Sequence, residues 1–596
     1  MLHAVPIKRL TAHSEVDKKA IAAILDEMGT LLELKGANPF KARAYHNASR
    51  AVEGITKDIA VLVETGDLRE VRGIGESIAE VITDLVKKGK SKEYESLRKS
   101  LPEGLVEMLG IQGLGPKRIK ILYDKLKIRS LEQLEKAARA DKLADIQGFG
   151  KKSQENILRG ITALRGRSAK SLYPVAAEAA EKVFSSLMKH GGITRGEIAG
   201  SLRRRKEIIG DIDIVVSAKE ASRPKLMEAF VGHPDVHAVV ARGDTKSSVV
   251  LNAGINCDLR IVGDEEYPFA LNYFTGSKEH NIEMRSRARD YGWSLNEYGF
   301  SELGEEQKRG KAKRIVQCKD EEALYRALDL SYVQPELREN MGEMYAAEQG
   351  TLPTVIEAGD IRGTFHCHTT YSDGVHTLEQ MATAAREIGW EYLGIGDHSK
   401  VAAYAGGLSE ERVKGQGKEI DALNNTMKNF RIFRGTECDI LPNGDLDWSD
   451  SVLAGFEYVV ASVHSSFNMS EGDMTKRIIK ALKNKYVTML GHPTGRLLLS
   501  REGYQVDIIK VIDAASDYGK IIEINAHPMR LDLDWRFCKY AKEKGVTIAI
   551  NPDAHSIDGL RHVYYGVGVA RKGWLEKKDV LNTRPVKDVL EYLKLK

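Results

Sequence analysis

The sequence predicts a multidomain α/β protein with a helical front, an α+β middle and a C-terminal region of alternating strands and helices. Three observations predict it. Over the first 170 residues apolar side chains recur at helical spacing, as in IAAILDEMGTLLELKG and LREVRGIGESIAEVITDLVKKG, and short Gly-bearing turns separate the helices. From about 170 to 285 the pattern changes to short β-rich runs between helices: EIAGS, DIDIVVS, VHAVVAR, SSVVLNA and INCDLRIV. From 361 onward the runs YLGIGD, RIFRGTECDI, YVVASVH, VTMLGH, IIEINAH and TIAINPDAH recur, most of them separated by helical patterns, as in a βα barrel.

A length of 596 residues suits several domains, and 42% hydrophobic with 29% charged residues is an ordinary globular balance. No run of eighteen apolar residues occurs, so no membrane span or membrane partner is expected. The start, MLHAVPIKRLTAHSEVDKK, lacks the apolar core of a signal peptide. The five cysteines are scattered with no CxxC pair, which excludes a disulfide scaffold or zinc ribbon and suits the cytoplasm. The net charge of +4 conceals an asymmetry. Residues 1–170 hold 32 Lys+Arg against 23 Asp+Glu, an excess of +9, so the remainder carries −5. A basic front end points towards nucleic acid.

That front end contains a repeat: VRGIG (71–75), IQGLG (111–115) and IQGFG (146–150), each of the form apolar-x-Gly-apolar-Gly. Each follows one helix and opens another. Glycine lets a phosphate approach the backbone, and a helix N-terminus offers unpaired N–H groups and a positive dipole end. The pairs Gly73/Gly75, Gly113/Gly115 and Gly148/Gly150, with Lys117 and Lys151 just after, are therefore candidate contacts to a DNA backbone, held without reading bases. Lys41, with Arg43 and Tyr45, lies on a helix just ahead in NPFKARAYHNASRAVE. The pattern resembles the helix-hairpin-helix motif.

In GDIDIVV (210–216) Asp211 and Asp213 alternate onto one strand face. Two such charges at 4 Å repel by about 4 kcal/mol at an effective dielectric of ~20. Gly200-Ser201 stands upstream, and INCDLRIV places Asp258 on another alternating strand. Hard divalent cations offset that repulsion and take substrate phosphates as further ligands.

This constellation resembles the nucleotidyltransferases of the DNA polymerase beta superfamily, and YFTGSKEHN (273–281) with LNEYGF (295–300) narrows it to family X DNA polymerases over about residues 1–335. The resemblance implies Asp211, Asp213 and Asp258 as catalytic ligands of Mg2+ or Mn2+, with Asp258 nearest the primer hydroxyl. It implies Ser201 and Arg204 against the incoming triphosphate, beside Gly200 and Gly210. Tyr273 and Phe274, with Gly276, would line the sugar pocket, and Asn281 would reach the base edge. Arg203 alone reads as a solvated side chain. Some family members cleave deoxyribose phosphate through an imine-forming lysine. That position is Val81 here, which cannot form the imine, and Lys41, Lys87 and Lys88 are the available substitutes.

HCHTTYSDG (366–374) opens a second argument. His366 and His368 alternate on an expected strand, Asp373 follows in a turn, and His398, Glu437, His464, His492, Asp553 and His555 sit at later strand ends. Strand ends converge at one barrel mouth, and mixed imidazole and carboxylate ligands suit Mn2+, Zn2+ or Fe2+. The set resembles the polymerase and histidinol phosphatase (PHP) domain over about 361–596, which implies a trinuclear centre for phosphoester hydrolysis. His376, His527 and His562 read as ordinary histidines, and Asp397 and Asp439 as residues that orient ligands. No GxSxG supplies a serine nucleophile.

The resemblances divide the chain into an N-terminal helical domain (1–92), fingers with two further hairpins (93–168), palm (169–285), thumb (286–335), linker (336–360) and PHP domain (361–596). They imply a monomeric, nucleoid-associated enzyme that fills short gaps in primed DNA with deoxynucleoside triphosphates and trims 3′ ends as a 3′–5′ exonuclease, with abasic-site cleavage as a further activity. Two rivals stay open: a non-catalytic, structural C-terminal region, and a phosphomonoesterase tethered to DNA.

Overall fold

The computed structural model describes residues 18–54, 59–71, 73–111, 114–143, 146, 149–168, 170–303 and 316–594. The chain divides into two compact units, Met1–Ser168 and Ala169–Lys596.

The first unit is helical around one core that includes Leu25, Met28, Tyr45, Ile78, Ile82, Ile119, Leu134 and Phe149. Its helix Glu76–Lys88 shows why: Ile78, Ala79, Val81, Ile82 and Leu85 form one buried stripe, and Gly89 ends the helix at φ 66 in the left-handed region. The three repeats fold into the same turn. Ile74 N donates to Val71 O at 3.0 Å, Leu114 N to Ile111 O at 3.0 Å, and Phe149 N to Ile146 O at 2.8 Å. Ile74, Leu114 and Phe149 are buried in the core and anchor each turn. Lys41, Arg43 and Tyr45 lie on helix Pro39–Gly54 as expected, with Tyr45 on its core side. Tyr45 is fully buried, and its hydroxyl donates to Glu93 at 3.0 Å. Val81 is also buried.

In the second unit five strands form a sheet: β1 (Ile193–Ile198), β2 (Asp211–Ala218), β3 (Val236–Ala241), β4 (Lys246–Leu251) and β5 (Asn256–Val262), in the order β1-β2-β5-β4-β3. Only β2 and β5 run parallel. Alternation along β2 puts Ile212, Ile214 and Val216 into the core beneath the alanine-rich helix Tyr173–Met188. The opposite face carries Asp211 and Asp213, and Val215 from that face packs with Ala199, Tyr267 and Ala270.

Next come helices Tyr267–Thr275 and Lys278–Asp290 and a hairpin of Trp293–Asn296 with Gly299–Glu302. They share a core that includes Phe269, Met284, Phe300 and Tyr325.

The remainder is a sheet of seven parallel strands in sequence order: β6 (Gly363–Cys367), β7 (Tyr392–Ile395), β8 (Arg431–Asp439), β9 (Tyr458–Ser462), β10 (Met489–Leu490), β11 (Ile521–Asn525) and β12 (Ile548–Asn551). The sheet nearly closes: Cys367 bridges Ala554 in parallel, and Thr364 Oγ1 donates to Ile550 O at 3.0 Å. Apolar side chains lie on both faces of these strands. One face meets the surrounding helices, and the other forms an inner plug of Phe365, Tyr392, Phe433, Tyr458 and Met489, packed with helix Val586–Lys594. Among the described residues no helix is long and apolar enough to cross a membrane.

Candidate functional site

The sheet site is a consequence of register. In the parallel β2–β5 pair Asp213 lies directly opposite Asp258, and Asp211 opposite Asn256. Burial, then the charges of Asp211 and Asp258, push the Asp213 carboxyl up to about 7, so the three acids feel one another. Lys246 Nζ stands 2.6 Å from Asp258 Oδ2 and supplies one positive charge. Gly200 sits at φ 67, where a Cβ would lie 2.5 Å from Asp213 Oδ2, so glycine is required for this approach. The Ser201 hydroxyl is buried without a hydrogen-bond partner. A Cβ at Gly210 would meet nothing within 4 Å. An all-oxygen carboxylate set beside an unpaired buried hydroxyl fits a hard divalent cation and its phosphate ligand.

Arg204 spans two segments. Its Nε donates to Glu339 Oε1 at 3.0 Å and its Nη1 donates to the Thr275 carbonyl. A Cβ at Gly276 would lie 3.1 Å from that Nη1. Asn281 Nδ2 donates to the Tyr273 carbonyl at 2.7 Å, which braces the segment expected to line a sugar pocket. The Tyr273 and Phe274 rings meet edge-on at 5.1 Å, and the Arg260 guanidinium lies 3.9 Å over Phe274. Arg203 is not a solvated side chain. It donates to Thr275 Oγ1 at 2.8 Å and to Glu321 at 2.7 Å, partners 72 and 118 residues away.

At the hairpins, Gly75 and Gly115 directly precede helices Glu76–Lys88 and Pro116–Leu126, with no side chain capping either N-terminus. Ser153 N and Gln154 N donate to Gly150 O at the start of Lys151–Ser168. A Cβ at Gly75, Gly115 or Gly150 would meet nothing within 4 Å, so no internal packing demands glycine there. Gly73 adopts φ 102. Lys117 is exposed, and Lys41 is exposed with Glu93 at 3.1 Å. Gly113, Gly148 and the Lys151 side chain lie outside the described residues.

The barrel site gathers all nine expected residues at the C-terminal ends of six of the seven strands. Glu437 is the hub. Its Oε1 lies 3.2 Å from His366 Nε2, 3.2 Å from His464 Nε2 and 2.9 Å from His492 Nε2, and its Oε2 lies 2.9 Å from His398 Nδ1. Asp553 Oδ1 is 3.3 Å from His368 Nε2, and Asp373 Oδ1 is 3.2 Å from His555 Nε2 and 3.7 Å from His398 Nε2. Four overlapping groups have ligand atoms within 4.8 Å of one another: His368/Asp373/His398/His555, His366/His492/Asp553, His366/His368/Glu437 and His398/Glu437/His464. Among the described residues such convergence is confined to the barrel, and the aspartates of the sheet are more loosely set.

His366 Nε2, His492 Nδ1 and both ring nitrogens of His368 are buried without a well-formed hydrogen bond. Burial alone would drive protons off these rings. Nevertheless Glu437 and Asp439 hold the His464 imidazole up to about 10, and Asp373 and Asp553 hold His555 up to about 9. Imidazoles so placed exchange a proton for a divalent cation, and the nitrogen-rich donor set fits Mn2+, Zn2+ or Fe2+.

Regular alternation does not bring His366 and His368 together, contrary to the sequence expectation. The β6–β7 register shifts between Thr364 and Cys367, and His366 takes φ 55. His492 (φ 22) and Asp553 (φ 50) share the left-handed region. Such strain clusters where surrounding structure over-determines the backbone.

Glu523, missed by sequence reasoning, supports two ligands. Its Oε2 lies 2.7 Å from His366 Nδ1, and its Oε1 accepts from His492 N at 3.0 Å. Asn551 and Asn525 fix its two oxygens. The available signal was an acid inside the otherwise apolar run IIEI. Asp439 Oδ1 lies 3.1 Å from His464 Nδ1, a contact that orients this imidazole. Asp397 acts differently. It accepts from Thr369 N at 2.8 Å and Gln416 Nε2 at 2.6 Å and so fixes the loop leading to Asp373.

Acids on a parallel strand pair behind three DNA-type hairpins, joined to an imidazole-rich barrel mouth, define a two-centre phosphoryl-chemistry enzyme class. Family models match accordingly: a helix-hairpin-helix domain at 16–91, a SAM-like helix-hairpin-helix tandem at 105–162, the DNA polymerase beta thumb at 270–339 and the PHP domain at 364–527. The chain is 40% identical over 579 residues to the DNA polymerase/3'-5' exonuclease PolX of Bacillus subtilis (strain 168), covering 97% of this chain and 99% of that one. Its C-terminal part is 31% identical over 242 residues to a probable phosphatase of Thermoanaerobacter sp. (strain X514), covering 39% of this chain and 94% of the phosphatase. This chain belongs to the PolX family of family X DNA polymerases that carry a PHP domain.

Proposed function

We propose that this chain is a DNA polymerase with a 3′–5′ exonuclease on the same polypeptide, and that its biological task is to fill short gaps during DNA repair. The observation that supports it best is the presence of two separate clusters of ligand-type side chains, the registered aspartates on β2 and β5 and the nine-residue barrel cluster. Asp211, Asp213 and Asp258 would hold divalent cations, Mg2+ or Mn2+ by ligand type, whose chemistry would be activation of a primer 3′-hydroxyl and stabilisation of leaving pyrophosphate.

The chain's own groups do the positioning. Ser201 and Arg204 grip the triphosphate, Tyr273 and Phe274 with Gly276 bound the sugar, and Asn281 reaches the base edge while bracing the Tyr273 carbonyl. The hairpin glycines with Lys41, Lys117 and Lys151 hold the DNA backbone. In the barrel the nine residues would hold Mn2+, Zn2+ or Fe2+, which would supply phosphodiester hydrolysis at 3′ ends and at abasic sites. The enzyme works as a cytoplasmic, nucleoid-associated monomer, divided into helical domain, fingers, palm, thumb and PHP domain at the boundaries given above.

The test uses gapped DNA with deoxynucleoside triphosphates, assaying synthesis and exonuclease separately. Asp211→Ala with Asp213→Ala abolishes synthesis and spares hydrolysis. His366→Ala with His368→Ala does the reverse, and persistence of nuclease activity in that variant refutes the barrel assignment. The likeness to probable phosphatases favours a second reading, hydrolysis of a small phosphomonoester. Faster turnover of histidinol phosphate than of single-stranded DNA would favour it.

A further inference from the structure

The segment Arg204–Glu207, which continues from Gly200-Ser201, is clasped by the C-terminal barrel. Glu339 is the junction. Its Oε1 accepts from Arg204 Nε at 3.0 Å and from Lys572 Nζ at 2.8 Å, and its Oε2 lies 3.6 Å from Lys206 Nζ. Lys572 ends helix Val563–Lys572 of the barrel, and its side chain is 0% exposed. Between Arg204 and Lys206, Arg205 is non-glycine at φ 51. Three partners hold it there: Glu336 at 3.4 Å, the Tyr564 ring at 4.8 Å, and Gly568, where a Cβ would lie 3.1 Å from Arg205 Cδ. Arg571 Nε donates to the same Glu336 at 2.8 Å. Glu207 faces Arg496 and Arg536 of the barrel at 3.9 and 4.0 Å.

A single carboxylate thus serves three cations, and one of them, Arg204, is the expected triphosphate contact. Burial would raise the Glu339 carboxyl, but Lys572, Arg204 and Lys206 draw it down to about 2, so it is ionised. A third cation on Glu339 weakens the hold of that carboxylate on Arg204 and leaves surplus positive charge facing an incoming polyanion. Without Lys572, Arg204 binds Glu339 more tightly and is less available to phosphate. Both effects act in one direction, towards weaker nucleotide binding.

We propose that Lys572, a barrel residue remote in sequence from the aspartates, is a positioning residue for nucleotide addition, acting through Glu339 on Arg204. The proposal rests on the reading of Arg204 as a triphosphate contact.

The test is steady-state synthesis by the full chain on gapped DNA with the deoxynucleoside triphosphate varied. The same preparations are assayed for exonuclease activity on single-stranded DNA and for thermal unfolding. Lys572→Met should raise the nucleotide KM about fivefold to tenfold, a typical coupling between charges that share a partner, with kcat within about twofold and the exonuclease rate unchanged. Lys572→Arg should restore KM. Lys572→Met combined with Arg204→Met should be no worse than Arg204→Met alone. If Lys572→Met does not fold, Lys572→Gln, which keeps a donor for Glu339 without the charge, takes its place with the same expected KM. An unchanged KM in the folded Lys572 variant while Arg204→Met raises it overturns the coupling alone. An unchanged KM in Arg204→Met overturns the triphosphate reading and the coupling with it. Equal losses of synthesis, exonuclease activity and thermal stability in the Lys572 variants overturn it in favour of a purely structural role.

Discussion

The two centres of this molecule are built in opposite ways. The sheet aspartates stand on regular strands, partly exposed, and strand register alone places Asp213 opposite Asp258. The nine barrel residues come from the ends of six strands, six of them buried, with His366, His492 and Asp553 on left-handed backbone and Glu437 within 4 Å of five histidines. A site made by register can be loosely set, because its substrate and cations complete it. A buried cluster must be pre-formed, because removing one member leaves charged or unpaired groups without water.

This contrast predicts a ranking of mutational effects. The largest is expected at the barrel hub. Glu437→Gln should reduce exonuclease activity to background and lower bound metal per chain, measured by elemental analysis, while synthesis on gapped DNA is retained. Loss of synthesis instead would erase the separation of the two centres.

Next is Gly200→Ala. A methyl group 2.5 Å from Asp213 Oδ2, at a φ of 67, must displace the carboxylate. A misplacement of about 1 Å costs about 10²-fold in rate, so synthesis should fall by that order with exonuclease activity intact.

Glu523→Gln should be milder, weakening metal affinity of the barrel about 10- to 100-fold, as read by metal titration of exonuclease activity. Equal loss in Glu523→Gln and Glu437→Gln would show that support and ligation are not separable here.

The last effect is on stability and touches neither activity. Burial would raise the Glu321 carboxyl, but Arg338 and Arg203 pull it down to about 2 from an ordinary 4.5. A carboxyl depressed on folding contributes stability above the unfolded value and loses it as pH falls from about 4.5 towards 2. The shift corresponds to about 3 kcal/mol. Thermal unfolding followed between pH 5 and 2.5 should show this loss in the parent, and Glu321→Gln should lack it.

Much of this was legible in the chain, for physical reasons. The hairpins were visible because one turn geometry, used three times, demands the same apolar-x-Gly-apolar-Gly pattern, and Ile74, Leu114 and Phe149 fill equivalent core positions. The histidines were visible because strand ends recur with ligand types at each. Arg203 was misread because its partners lie 72 and 118 residues away. Which face Tyr45 takes was not legible, because a tyrosine between basic residues carries no local signal of burial until the helix is docked. Glu523 was passed over because one acid in an apolar strand has no local signature of its role.

By itself the sequence determined the periodicities, and with them the strands, helices and turns and the identity of most ligand side chains, since these follow from neighbours a few residues apart. Only the tertiary structure decided which groups meet: Asp213 with Asp258 through strand register, His366 with Glu523 across the barrel, and Lys572 with Arg204 through Glu339. Electrostatics acts through space and is settled by packing, so the partners of a buried charge cannot be read from spacing along the chain.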